Sequence, residues 1–472
     1  MRTIPAFLFL VAVLLLYVLP DQTTAQTQKT DRMHLDRLIA PDVLVDTLAN
    51  GLRVYFTKVS DVPLAEISIV VDAGVGREDE ETAGISHITT QMLIRGSKDR
   101  SKDMIHRRLD QLGSVVLPYT HYDYAQLYGK TLARNFRSTL EIMADAIINP
   151  SFEEVELNGY KKETSQLSMR APSSPGAKAS AQAIAAILGE DHPLTRPLLP
   201  ESWSIEAADR DAIRDFHARW YRPETSSIII TGNLDYSFVR TLLLEAFGRW
   251  QRGEVTVPPV EVGKASANEI VAIPDYESSK GLTFFRLAVP TMKRNDSDVY
   301  ALILLNGILG TGETSLLRKG LWTDHVISPN VTSSLGFGRG CGYLMVSGSV
   351  SPNLVDSVMI VFETITENLL QYGVAVSELE VAKEQFLADS PLTFASNRSL
   401  QGLLKEAYVY DIPVQEAMNF AGNIRDVTVE DVRRVARRVM VRAKQRIVLL
   451  GDEKKFVPEL QRLGFDVKVL EN

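Results

Sequence analysis

The 472-residue chain carries 51 Lys and Arg against 59 Asp and Glu, a formal charge of −8 spread without a basic stripe, which argues against nucleic acid as a partner. Hydrophobic residues at 45% and charged residues at 23% fit a folded globular protein of two or three domains and exclude general disorder. Cys341 is the only cysteine, so no internal disulfide forms and the fold must rest on its hydrophobic cores.

The N-terminal stretch MRTIPAFLFLVAVLLLYVLPDQTTAQ sets Arg2 before an apolar run to Leu19 and a small-residue segment ending at Ala25. It has the pattern of an export signal over residues 1–25, with cleavage after Ala25 and a periplasmic or secreted mature chain. The apolar run is short for a bilayer span, so no stable membrane span is expected after its removal. No cysteine adjoins the cut site, which excludes lipid attachment there.

From Pro41 onward the pattern becomes periodic. NGLRVYFTK (50–58) and AEISIVVDAG (65–74) alternate apolar and polar residues and read as strands. A helix is predicted over 83–94, opened by Thr82 or Gly84 and closed near Gly96. Helices at 101–112, 133–147 and 153–169 follow, with a strand at 121–132, then the helix DRDAIRDFHARWY and the buried strand SSIIITG (226–232). The Pro-, Gly- and small-residue-rich stretch 253–268 reads as a linker.

Beyond the linker the pattern repeats. LTFFRLAVP (282–290) stands where ISIVVDAG stood about 216 residues earlier, and Gly451 of RIVLLGD lies 219 residues after Gly232. Two agreeing offsets predict a duplicated α+β architecture: homologous domains at 42–252 and 269–472, each a mainly antiparallel sheet with helices packed on one face.

The segment GISHITTQMLIRGS puts His87, Thr90 and Gln91 on one helix. Residues i and i+4 share a helix face, so two histidines there can grip a zinc ion while an adjacent Glu activates its water, the logic of H-x-x-E-H. Here Thr90 has no carboxylate and Gln91 offers a neutral amide, leaving a single imidazole. GFGRGCG (336–342) has a phosphate-loop glycine pattern but runs into the strand YLMVSGSV, so a turn entering a strand is the reading adopted. The three Asn-x-Ser/Thr sequons, at Asn295, Asn330 and Asn397, matter only in a glycosylating secretory pathway.

The ordered set NGLRVYF, AEISIVVDAG, GREDEETAGISH, QMLIRGS, LGEDHPLTRP, WYRPETSSIIITGNLD, LLNGILGTGETSLL, GVAVSELEVAKEQF and RIVLLGD resembles the pitrilysin/insulinase-type metallopeptidases, which include mitochondrial processing peptidase, over about residues 42–452. The resemblance implies that the family's first histidine is His87, its catalytic Glu falls on Thr90, its second histidine on Gln91 and its third ligand on Leu167, with Glu163 one helical turn early. On its substrate-pairing edge strand Leu117 and Pro118 replace the usual residues while Thr120 and Asp123 remain, and the substrate-holding Arg and Tyr fall on Trp322 and Pro329. It further implies an exported non-catalytic subunit pairing with a catalytic chain, or with a second copy of itself, to enclose a chamber for peptide substrates. No cofactor is expected in this chain, and zinc belongs to the partner. The alternatives are a scaffold that keeps the fold without peptidase function, and an active peptidase with rearranged zinc ligands drawn from His87, His121 and Glu163. His192 belongs to the HPLTRP turn and is read as structural, as is Cys341.

Overall fold

The computed structural model describes residues 40–59, 62–168, 174–198, 202–253, 255, 269–394 and 396–470. The expected export signal and nearly all of the linker lie outside the described residues. No helix among the described residues is long and apolar enough to cross a membrane.

Two six-stranded sheets organise the described chain. The first takes β1 (Leu44–Thr47), β2 (Arg53–Lys58), β3 (Leu64–Val71), β4 (Val115–Thr120), β5 (Ala125–Leu132) and β6 (Ser226–Gly232) in the order β1-β2-β6-β3-β5-β4. The second takes β7 (Glu269–Pro274), β8 (Thr283–Thr291), β9 (Thr332–Gly338), β10 (Cys341–Val350), β11 (Arg446–Gly451) and β12 (Val467–Val469) in the order β12-β7-β11-β8-β10-β9. Apart from the outermost strands β1 and β12, the two orders are the same. In both, a parallel pair, β2 with β6 and β7 with β11, joins an antiparallel run, and the outermost strand differs: β1 pairs antiparallel with β2 and β12 parallel with β7. β8 starts 219 residues after β3, where the sequence had put about 216, and β11 ends 219 residues after β6, the offset read from the sequence.

The helices of each half cover one face of its sheet. Over the first lie α1 (Ile85–Met92), α2 (Lys102–Leu112), α3 (Phe136–Ile148), α4 (Glu154–Ser168), then, past α5 (Pro175–Leu188), α6 (Arg210–Trp220) and α7 (Tyr236–Phe247). Their apolar stripes, including Ile88, Met143, Ile213 and Leu243, close on Val54, Ile67, Ile69 and Ile230. Over the second lie α8 (Val299–Gly310), α9 (Val355–Gln371), α10 (Val376–Phe394), then, past α11 (Asn397–Val409), α12 (Val429–Val439) and α13 (Glu453–Arg462).

The opposite faces are covered by exchange. Helix α5, from the first half, lays Ala179, Ala183 and Ile187 on Val271, Ala288 and Val448 of the second sheet. Helix α11, from the second half, lays Leu400, Leu404 and Tyr408 on Tyr55, Val70 and Ile229 of the first. Sequence periodicity had placed helices on one face only. Successive strand residues point to opposite faces, so a strand covered on both sides reads as one apolar run, and the continuous burial of Ser226–Gly232 has this cause.

The GFGRGCG segment is the tip of the β9–β10 hairpin, with Gly338 paired to Cys341 across Arg339 and Gly340. Arg339 crosses to the first half. Its backbone N–H donates to Asp123 (2.9 Å), and its guanidinium donates to Asp72 (3.0 Å), which already takes two bonds from Arg77 at 2.8 and 2.9 Å. Tyr410 donates from its hydroxyl to Asp123 (3.3 Å).

Asp72 is almost fully buried between two guanidinium groups. Asp72→Ala should therefore lower unfolding free energy by about 3–5 kcal/mol, because it leaves positive charge in a dry site without its counter-ion. Arg339→Ala, which keeps the Asp72–Arg77 pair, should cost clearly less. Urea denaturation of both variants checks the order.

Candidate functional site

Helix α1 carries the zinc-peptidase frame, and its position is fixed at its N-terminus. Gly84 adopts φ +87°, a left-handed conformation that side-chain-bearing residues disfavour, immediately before the first helical residue. The carboxylate of Glu78 then accepts from the N–H groups of Gly84 and Ser86, both at 2.9 Å, satisfying donors that the helix cannot pair internally. Burial pushes Glu78 up to about 7, against those two bonds and nearby Arg196. Ser86 donates from its hydroxyl to the carbonyl of Ala73 (2.5 Å), which anchors the helix to the end of β3.

His87 is half-buried, and desolvation lowers its pKa to about 4. Its ring lies 6.5 Å from that of Tyr160 on α4. Thr90 is fully buried. Its hydroxyl donates to the Ser86 carbonyl one turn back (2.7 Å) and lies 3.0 Å from the Tyr221 hydroxyl. Since the single Thr90 proton goes to Ser86, Tyr221 is the donor of the second bond. Tyr221 in turn stacks on His217 at 4.6 Å, and His217 bonds the Ile147 carbonyl at 2.9 Å. Gln91 is half-buried on the same helix.

The remaining sequence candidates are held elsewhere. Glu163, on α4, accepts from Arg95 (2.6 Å), whose guanidinium holds its carboxyl below the usual range and sits 5.0 Å over the Tyr160 ring. The structure thus brings α4 against α1 through Tyr160, with Glu163 engaged by a cation. The side chain of Leu167 lies outside the described residues. The strand expected over 121–132 starts only at Ala125, and the edge strand β4 ends at Thr120, so His121 lies in the turn between them and not on the edge. There it stacks on Tyr124 at 4.8 Å, and Asp123 stands 3.8 Å away. Burial lowers His121 and raises Asp123, which favours a neutral pair. His192 accepts from the Leu194 N–H (3.2 Å) and lies 3.7 Å from Cys341, whose thiol burial pushes up to about 12. That contact is structural, joining the HPLTRP turn to the second sheet. Arg318 lies 5.9 Å over the Trp322 ring and donates to the Pro329 carbonyl, so an arginine occupies the region where sequence register had placed none.

This donor set does not fit zinc. Among the described residues no three His, Cys, Asp or Glu side chains gather as a metal would require. Of the α1 frame only His87 is an ordinary ligand, and Thr90 spends its hydroxyl on Ser86 and Tyr221. Sequence reasoning missed Glu78, Tyr221 and Arg95, the groups that fix α1. The segments GREDEE, WYRP and LIRGS contained them, but partners as distant as Thr90 and Tyr221 have no local signal.

A helix with a metallopeptidase frame on a duplicated six-stranded α+β unit defines the class as a zinc-peptidase fold. The sequence profile described as insulinase (peptidase family M16) matches residues 53–201, and that described as peptidase M16 inactive domain matches residues 207–386. The chain belongs to peptidase family M16. An uncharacterised zinc protease of Mycobacterium tuberculosis is 25% identical over 400 residues, 84% of this chain and 90% of that protein. A probable mitochondrial-processing peptidase subunit beta of Arabidopsis thaliana is 23% identical over 278 residues, 59% of this chain and 52% of that one. A structure described as the peptidase M16 inactive domain from Pseudomonas fluorescens superposes with a TM-score of 0.79 at 20% identity, covering 87% of this chain and 98% of that one. The periplasmic protease PqqL from Escherichia coli superposes at 0.72 and 15% identity, with 89% of this chain covering 49% of that one.

Thr90→Val should lose about 1–2 kcal/mol of stability, since it leaves the buried Tyr221 hydroxyl without its acceptor. Acidity should act through the buried histidines. His87, His192 and His217 stay neutral in the folded chain down to about pH 4, whereas their unfolded value is 6.5. Their contribution is complete above pH 6.5 and is lost as pH falls from 6.5 towards 4, because only the unfolded chain takes up those protons. Glu78, raised from 4.5 to about 7, acts in the opposite sense, and three histidines outweigh it. Stability measured between pH 7 and 4 should fall, and His87→Asn should flatten the slope by about one proton.

Proposed function

We propose that this chain is an exported, non-catalytic M16 subunit that pairs with a catalytic zinc-bearing chain and forms part of the wall of a peptide-processing chamber. The observation that carries the reading is Thr90. At the position where the family resemblance expects a catalytic carboxylate, a buried hydroxyl has both its hydrogen bonds inside the protein. It has no proton-accepting group to offer a water.

The helix, the edge strand and both sheets are retained around it, which favours a role that needs the shape of a peptidase half without its chemistry. Among the described residues β4 has no strand on its outer side, with Val115, Leu117 and Tyr119 about half exposed, although Pro118 lacks the N–H that strand addition uses. The periplasmic setting of PqqL and the Arg2-to-Ala25 pattern support export.

The test is zinc content and cleavage of a quenched peptide library by the chain alone, by a catalytic M16 chain from the same organism, and by the two mixed. Expected are well under one zinc per chain, no cleavage alone, and cleavage by the mixture above that of the partner by itself. One tightly bound zinc and chelator-sensitive cleavage by the chain alone would refute the reading.

A further inference from the structure

A second feature lies on the other face of the first sheet. A cavity of about 530 Å³ opens where α11 crosses β4 and β5. Its wall is aromatic and aliphatic on the sheet side, from Leu117, Tyr119, Tyr124 and Tyr128, and cationic on the helix side, from Arg398 and Lys405. None of its lining residues is acidic.

Both cations are held without an ion pair among the described residues. Arg398 lies 5.8 Å over the Tyr128 ring, and Lys405 lies 4.8 Å over Tyr124. Two carboxylates close to the cavity wall face other cations. Glu406 pairs with Arg294 at 3.2 Å, and Glu66 faces Lys130 at 3.9 Å.

Lys405 is positioned from beneath by a buried polar chain. It donates to the Gln126 side-chain oxygen (3.3 Å), Gln126 donates its amide to Ser68 (2.7 Å), and Ser68 donates to Gln401, whose amide bonds Thr231 at 3.3 Å. An ammonium has three N–H donors, and this chain uses one. Burial, with the like charge of Arg398, depresses the Lys405 pKa against the pull of Glu406. A half-dry cation above aromatic rings, with donors to spare, is an anion-binding arrangement.

The spacing narrows the ligand. Arg398 and Lys405 are seven residues apart on α11, two turns along one face and roughly 10 Å in rise. Tyr128 and Gln126, paired with Leu117 and Tyr119, set the same direction along β4. An extended chain beside β4 presents residues i and i+2 to one face, roughly 7 Å apart, within reach of two long cationic side chains.

We propose that this cavity binds acidic peptide segments through carboxylates two residues apart, one met by Lys405 and one by Arg398. The choice of a peptide as ligand rests on the reading of the chain as a chamber wall; the preference for carboxylates rests on the cavity alone.

The test is calorimetric titration of the isolated chain at low salt with acetyl-Ala-Glu-Val-Glu-Ala-amide, its Gln-Gln counterpart, and the Gln-Gln peptide with a free C-terminal carboxylate. The Glu-Glu peptide should bind at least about tenfold more tightly than the neutral one, as charge-assisted bonds do relative to neutral ones. Lys405→Met, which keeps the stem of the side chain, and the exposed Arg398→Gln should each reduce that ratio and together abolish it, with binding of the neutral peptide unchanged. Tight binding of the free-terminus peptide alone would assign the cations to a peptide end and overturn the proposal. Equal binding of the Glu-Glu and neutral peptides, or a ratio that survives both substitutions, would overturn it. No zinc, partner or cleavage enters this measurement, so peptide hydrolysis by the chain alone would refute the non-catalytic reading without touching this one.

Discussion

Each sheet has two apolar faces, and the helices of its own half can cover only one. That constraint dictates the exchange in which α5 crosses to the second sheet and α11 to the first. An uncovered face carrying Val271, Ala288 and Val448, or Tyr55, Val70 and Ile229, would leave an apolar patch larger than soluble surfaces usually carry. The buried clasp of Arg339 on Asp72 forms only because the exchange brings the β9–β10 hairpin against the end of β3. The cavity above Lys405 exists for the same reason, being the gap where α11 leaves the sheet near its open edge.

Within this frame α1 is held by the protein itself. Glu78 caps its first turn, Ser86 ties it to Ala73, and Thr90 bonds Tyr221 behind it. Every one of these contacts is made by backbone or uncharged side-chain groups, apart from the Glu78 carboxyl. These contacts set the helix against α6 and β4 independently of any metal. This explains how α1 stays in place with Thr90 and Gln91 where an H-x-x-E-H frame would set a Glu and a His.

Much of the fold was legible because it repeats. The strands RVYFTK and SSIIITG, the helix beginning at Arg210 and the 219-residue offset between Gly232 and Gly451 all fell where periodicity put them. Helix α5 escaped, because PGAKASAQAIAAIL is so rich in alanine that its stripe hardly shows, and its partner sheet is supplied by residues as distant as Val271, Ala288 and Val448. The site was legible in what it contains, His87, Thr90 and Gln91, and illegible in what it touches. Arg95 meets Glu163 across 68 residues and Thr90 meets Tyr221 across 131, and no spacing rule reports such pairs.

The exchanged helices also bear on the order in which the chain is made. Strand β6, the centre of the first sheet, leaves the ribosome by residue 232, and that sheet can pair at once with its own helices. Its second face must then wait for Leu400, Leu404 and Tyr408, which emerge only after most of the other half. Helix α5 stands ready for a sheet that does not yet exist. Through that interval a nascent chain displays an apolar sheet face and an unpartnered helix together, the kind of surface that chaperones bind. The arrangement that closes the finished protein thus defines the stretch of synthesis during which it most needs to be shielded from its neighbours.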